Sequence, residues 1–176
     1  MARAVRRIVT GHDAKGRSII VRDGPAPSVL EVAAMPGLVL SDLWETTTAP
    51  ADNRDPRDAA ERPVHLEPAA RGTIFRIVDF PPSLPKLSQA DTKAAFGQIA
   101  AAHATDDESD DAMMHKTASV DYAIVLEGEI WAVMDAGETL LKPGDVQVQR
   151  GTNHSWRVEG ETPARVAFIL VGAAPL

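Results

Sequence analysis

The sequence predicts an all-β chain folded as an antiparallel barrel or sandwich, with a strand-bearing N-terminal extension and one short helix. Three observations point there. From Met113 onward, short β-branched and aromatic runs ("YAIVLEG", "EIWAVMDAGETLL", "KPGDVQVQRG", "NHSWRVEG", "ARVAFILVG") are separated by EG, AG, PG and RG turn signals. The 12 glycines and 13 prolines suit many turns better than long helices. Only one segment carries helical spacing. At 176 residues the chain can bury one substantial core and is too short for two comfortable domains. Residues 1–72 therefore read as a strand and loop extension of the same domain, and residues 73–176 as the barrel.

Taken in order, "RRIVTGHDAKGRSIIVRDG" holds two β-branched runs, Ile8 to Thr10 and Ser18 to Val21, joined by a Gly- and Asp-containing loop. That is a hairpin, with His12 a solvated residue of its turn. "GLVLSDLWETT" is a third strand. The Pro-, Asp- and Ala-rich "APADNRDPRDAAERP" has no period and reads as an exposed loop, with His65 exposed just beyond it. "GTIFRIVDFPP" is a strand ended by a proline pair, since proline removes a ladder donor and restricts the residue before it. In "SQADTKAAFGQIAAAH", a Ser or Asp cap precedes Ala94, Ala95, Phe96, Ile99, Ala100 and His103 at 3.6-residue spacing, so a helix is expected with His103 at its end. "MMHKTASV" then opens the barrel strands.

Charge and composition exclude several classes of function. The net charge is −7, and much of it lies in "DDESDD". Without an extended Lys/Arg surface the chain is a poor candidate for nucleic acid, whose phosphates need clustered cations. The basic opening "MARAVRR" has no apolar run behind it and reads as a solvated terminus, and nothing approaches the length of a membrane span. A soluble, cytoplasmic protein with no membrane partner is expected. The absence of cysteine removes disulfide and thiolate chemistry and leaves His, Asp and Glu as metal ligands and acid/base groups.

The chemistry-bearing stretch is "HKTASVDYAIVLEG". His115, Thr117, Ser119 and Asp121 share one parity, so an unbroken strand puts all four on one face. Inside a barrel that face needs hydrogen-bond partners, ligand or water, and otherwise it must meet solvent. Parity alone leaves this open. Downstream, "LKPGDVQVQRGTNHSWRV" places His154 after a tight turn with Trp156 on its parity. Trp156 either stacks on a flat substrate or fills the core. Tyr122, of opposite parity to Asp121, is expected on the outside of the barrel.

These two segments resemble the two motifs of the cupin superfamily, specifically the conserved-barrel cupins. His115 falls on the first histidine of the first motif, Thr117 on its second, Asp121 on its glutamate and Gly128 on its closing glycine. Gly144 and Gly151 fall on the second motif's glycines, and His154 on its histidine. The sequence departs from the pattern at Ser109, which stands where the first glycine is expected, and at Val158, which replaces the final asparagine. The second motif is also one residue short and lacks its proline. The resemblance covers the C-terminal hundred residues. The chain is also similar to a bacterial and fungal cupin subgroup typified by "SVDYxIVLEGE" and "GDVxVQRGTNHxW".

The resemblance implies a jelly-roll-like barrel with a pocket, and a small-molecule ligand or substrate. It implies a homodimer, since exposed sheet edges invite exchange of arms. Where the motif supplies three imidazoles and a carboxylate, this chain retains His115, Asp121 and His154, a facial set able to hold Fe, Mn, Ni or Zn. The same residues with Thr117 also make a metal-free acid/base set, in which Asp121 orients a histidine and Thr117 donates to the carboxylate or substrate. Trp156, Ser119 and Arg150 are the pocket candidates, Arg150 as a contact to an anionic substrate at the mouth. Three functions stay open: lyase- or isomerase-type acid/base chemistry (dehydration, decarboxylation or cyclisation) with or without a metal, a non-haem metal-dependent dioxygenase, or a non-catalytic binding barrel.

Overall fold

A computed structural model of the chain describes residues 4–82 and 85–175. The first three residues of the basic opening lie outside that range. Eleven strands and one helix are found among the described residues: β1 (Arg6–His12), β2 (Ser18–Pro25), β3 (Ser28–Glu31), β4 (Val39–Thr46), β5 (Thr73–Phe80), α1 (Gln89–Gly97), β6 (Ser119–Glu127), β7 (Ile130–Met134), β8 (Gly137–Leu141), β9 (Val146–Arg150), β10 (His154–Arg157) and β11 (Ala164–Gly172).

All strand pairing is antiparallel. β3-β4-β5-β11-β6-β9 form a six-stranded sheet, β10-β7-β8 a three-stranded one, and β1-β2 a separate hairpin. Thus β3 and β4, which precede residue 72, extend the sheet at β5. Ile130, Ala132 and Leu141 of the smaller sheet share one apolar core with Ile74, Val78, Ala123, Val125 and Val166 of the larger. Closing two antiparallel sheets over one core gives the jelly-roll-like barrel.

Local chemistry explains the elements. β6 alternates strictly, with Ser119, Asp121, Ala123 and Val125 buried, as the period of a pleated strand requires. Gly128 ends it at φ +69°, where a Cβ would stand 2.2 Å from the Pro163 carbonyl oxygen; only glycine fits that close approach. At the helix start the Ser88 hydroxyl accepts the Asp91 N–H at 3.1 Å, satisfying one of the orphan donors. The helix stops at Gly97, short of His103: Ala100 takes a positive φ of 56°, which breaks the helical path. No helix among the described residues is long and apolar enough to cross a membrane.

Several expectations need correction. Of "MMHKTASV" only Ser119 and Val120 join a strand, β6; the residues before them do not form one. His115 instead makes isolated bridges to Thr105 and to His154. β3 is a strand that its sequence does not announce. The end of the Pro/Asp/Ala-rich loop is anchored, because Asp58 pairs with Arg7 and Arg22, and Ala60 is fully buried. The hairpin closes over the outer face of the large sheet through Val5, which packs on Leu43, Ile77 and Ala167.

Candidate functional site

The inner face of the large sheet is laid out in rows of facing residues. Leu40, Val78, Val166 and Val125 make one row, entirely buried and apolar. The next holds Asp42, Arg76, Phe168 and Ala123, and the one beyond it Ile74, Leu170, Asp121 and Gln149. Polar groups therefore gather toward one end of the barrel. A cavity of about 110 Å³ lies there, with Arg76, His115, Thr117, Asp121 and His154 as the polar part of a wall otherwise made of residues such as Leu40, Val78, Phe96, Met113 and Phe168.

His115 and His154 are held as a pair by backbone. Each donates its N–H to the other's carbonyl at 2.9 Å, and the ring centroids stand 4.3 Å apart. The Nδ1 of His115 lies 2.9 Å from the Met113 carbonyl oxygen, and that of His154 lies 3.0 Å from the Thr152 carbonyl oxygen. A carbonyl can only accept, so Nδ1 carries the proton in both rings and Nε2 keeps its lone pair. Burial pushes both pKa values down, that of His154 to about 3 with its neighbour His115 as a second cause. Both imidazoles are therefore neutral acceptors at neutral pH.

Asp121 is the buried carboxyl of the site, and its Oδ1 finds no hydrogen-bond partner among the described residues. Burial raises its pKa to about 6, opposed by hydroxyl hydrogen bonds from Ser119 and Thr117 and by the charge of Arg76. The two hydroxyls are themselves hydrogen-bonded to each other at 2.8 Å.

Arg76 is a buried guanidinium on the cavity wall, 2% exposed. Its Nε lies 3.0 Å from Asp42 Oδ1 without hydrogen-bond alignment, while Nη2 donates to Asp42 Oδ2 at 3.2 Å and to the His65 carbonyl. Asp42 also accepts from Arg62 Nη1 at 2.8 Å, and Arg62 pairs with Glu45. Two guanidinium groups thus meet two carboxylates, and the charge of the cluster is balanced internally. Sequence reading does not reach Arg76, whose partner stands 34 positions away and whose immediate strand neighbours are Ile, Phe and Val.

The remaining candidates fall as follows. Trp156 lines the cavity, edge-on to His154 at 5.8 Å and to Phe168 at 5.4 Å. Ser119 is buried beside Thr117 and acts on Asp121 from outside the cavity wall. Arg150 is exposed and away from the cavity, because on β9 it is Gln149 that points inward. His65 is partly buried, 3.6 Å from Glu45. Tyr122 is exposed on the outer face.

The motif resemblance implied a divalent metal on His115, Asp121 and His154. The residues do not fit one. Among the described residues no group of three or more His, Asp or Glu could hold a metal ion. Thr117 occupies one imidazole position, and the carboxyl of Asp121 is one methylene shorter than the glutamate of the motif. The two imidazoles alone fall short of a three-ligand site.

No family model matches the chain. A protein of the phomopsin biosynthesis cluster of Diaporthe leptostromiformis is 32% identical over 182 residues, covering 99% of this chain and 82% of the relative. A cupin-domain-containing oxidoreductase of Hypocrea virens is 27% identical over 184 residues, covering 100% of this chain and 79% of the relative. Among solved structures, a cupin-2 domain-containing protein from Shewanella frigidimarina superposes with a TM-score of 0.35 at 14% identity, over 55% of this chain and 68% of that one.

Proposed function

The chain belongs to the cupin superfamily, and on that premise we propose that its cavity carries out proton-transfer chemistry, of the isomerase or lyase type, on a small and largely apolar organic molecule. The observation that carries this reading is the Asp121 carboxyl: one oxygen unpartnered, on an apolar wall, with a pKa raised to about 6. A general base works best with a pKa near the operating pH, because it then combines ionisation with basicity. Asp121 takes a proton from a carbon-bound hydrogen of the substrate and returns it. Thr117 and Ser119 hold the carboxyl in place. The neutral Nε2 atoms of His115 and His154 accept from a substrate hydroxyl and orient it, and the apolar wall excludes water, which strengthens each of these contacts. Relatives named for biosynthesis clusters support a small organic molecule as the substrate.

The oxidoreductase names of other relatives favour a second reading, an oxidation of the small molecule, for which a dioxygenase is the form to test. One experiment separates the two. Ketones, β-hydroxy ketones and β-keto acids are incubated with the protein in D2O under chelator and followed by proton NMR, with oxygen uptake recorded in parallel. Loss of C–H signal or conversion that survives chelator, rises with pH through about 6 and disappears in Asp121→Asn is the expected result. Oxygen uptake that chelator abolishes would replace the acid/base reading with the dioxygenase.

A further inference from the structure

Among the described residues Arg76 is the one cationic group on the cavity wall, and its surroundings specify what it can bind. Its charge is already answered by Asp42, with Arg62 and Glu45 completing a balanced cluster. Nε and Nη2 face Asp42 and the His65 carbonyl, while Nη1 has no hydrogen-bond partner among the described residues. A second anion brought to this guanidinium would sit in a low-dielectric space that already holds the Asp121 carboxyl, which is unfavourable. A neutral acceptor meets no such penalty, and a carbonyl oxygen is the simplest one.

Arg76 and Asp121 lie on strands separated by β11, in adjacent inward-facing rows. Strand spacing and rise place their Cα atoms roughly 12 Å apart, and both side chains line the same cavity. We propose that Arg76 Nη1 donates to the carbonyl oxygen of a neutral ketone, aldehyde or ester, and so presents the adjacent C–H to Asp121. This rests on the acid/base reading above and names its substrate class. In the step, Asp121 takes the proton and the C–H electron pair becomes the carbon–carbon double bond of an enolate. The carbonyl π pair moves to oxygen, where Arg76 stabilises it. The protonated Asp121 then returns the proton to the same carbon or to a conjugated one. Nothing is oxidised or reduced, and no co-reactant is consumed.

The test uses neutral ketones of six to ten carbons, each matched with the hydrocarbon in which CH2 replaces C=O and with a carboxylate of equal size. Binding is measured by calorimetry, the bound carbonyl stretch by infrared difference spectroscopy, and exchange by NMR in D2O. Arg76→Lys and the double variant Asp42→Val/Arg76→Met are compared with wild type; the double variant removes both charges and so avoids leaving one buried alone. At least one ketone should bind on the order of 10- to 100-fold more tightly than its hydrocarbon, as a hydrogen bond from a charged donor provides. Its carbonyl stretch should shift to lower frequency. The double variant should lose both the preference and the shift while binding the hydrocarbon as before. No ketone outperforming its hydrocarbon, a carboxylate binding more tightly than the ketone, or an unchanged stretch in the double variant overturns the assignment. The two readings fail separately: a shifted stretch without deuterium exchange keeps the Arg76 contact and removes the proton transfer by Asp121.

Discussion

Asp42 is fully buried and faces two guanidinium groups, with Arg76 Nε 3.0 Å from one carboxylate oxygen and Arg62 Nη1 2.8 Å from the other. Asp42→Ala leaves Arg76 with the His65 carbonyl and the more distant Asp121, while Arg62 retains Glu45. Removing one member of a buried pair costs about 3–5 kcal/mol, because the survivor stays desolvated without its counter-charge. For a chain of this size each kcal/mol moves the melting temperature by about 2–4 °C, so a loss of roughly 6–20 °C is expected. The assay is urea and thermal unfolding of wild type, Asp42→Ala, Asp42→Val, Arg76→Met and Asp42→Val/Arg76→Met, the last three closing the cycle with wild type. If the penalty is the orphaned charge, the double variant regains about 2 kcal/mol or more relative to the sum of the single effects. Strict additivity of the two single losses refutes the reasoning, since it would mean that the residues contribute by packing and not by mutual neutralisation.

The raised pKa of Asp121, from 3.8 to about 6, means the folded state holds its proton more tightly than the unfolded chain. Its contribution is fully present below pH 3.8 and lost as pH rises through about 6, so Asp121→Asn should stabilise the protein at pH 8 by up to about 3 kcal/mol and not at pH 3.5, as read by urea unfolding at the two pH values. The lowered pKa of His154, about 3 against 6.5, works in the opposite sense: its stability is present above 6.5 and lost as pH falls toward 3, so His154→Gln should be less acid-labile than wild type in an acid titration followed by tryptophan fluorescence. At Gly128, alanine would combine a φ of +69° with a Cβ 2.2 Å from a backbone oxygen. Gly128→Ala should cost more than about 2 kcal/mol, combining strain of about 1–3 kcal/mol with a forced backbone shift, and an unchanged melting temperature would show that the turn is not held as described.

Most of the barrel is legible in the sequence because its signals are local. The strict alternation of β6 and the glycines at its turns require no knowledge of the rest of the chain. Where the reading stops, the cause is a partner distant in sequence or an inverted environment. On β9 the valines suggest the buried face, yet Val146 and Val148 are more than half exposed while Gln149 is buried. Arg150 follows that inverted parity outward. His115 resembles a strand residue, but its conformation is set by Thr105 and His154, ten positions before it and 39 after it. Arg76 sits in a run whose neighbours are Ile, Phe and Val, and only the crossing of β4 beside β5 gives it a counter-charge. The histidines and the carboxylate are visible as a motif, whereas the guanidinium opposite them is a product of the tertiary fold.

The reciprocal backbone bridge between His115 and His154 separates two kinds of variation. The spacing of the imidazoles is set by main-chain hydrogen bonds, which no side-chain substitution removes short of proline. The shape of the cavity is set by side chains on other strands, among them Val78, Phe168 and Leu170. Substitutions at those positions can redraw the volume offered to a ligand while the paired rings keep their places. Cavity shape and histidine pairing are therefore free to diverge independently, and a barrel of this design can be refitted to a new molecule without moving its paired rings.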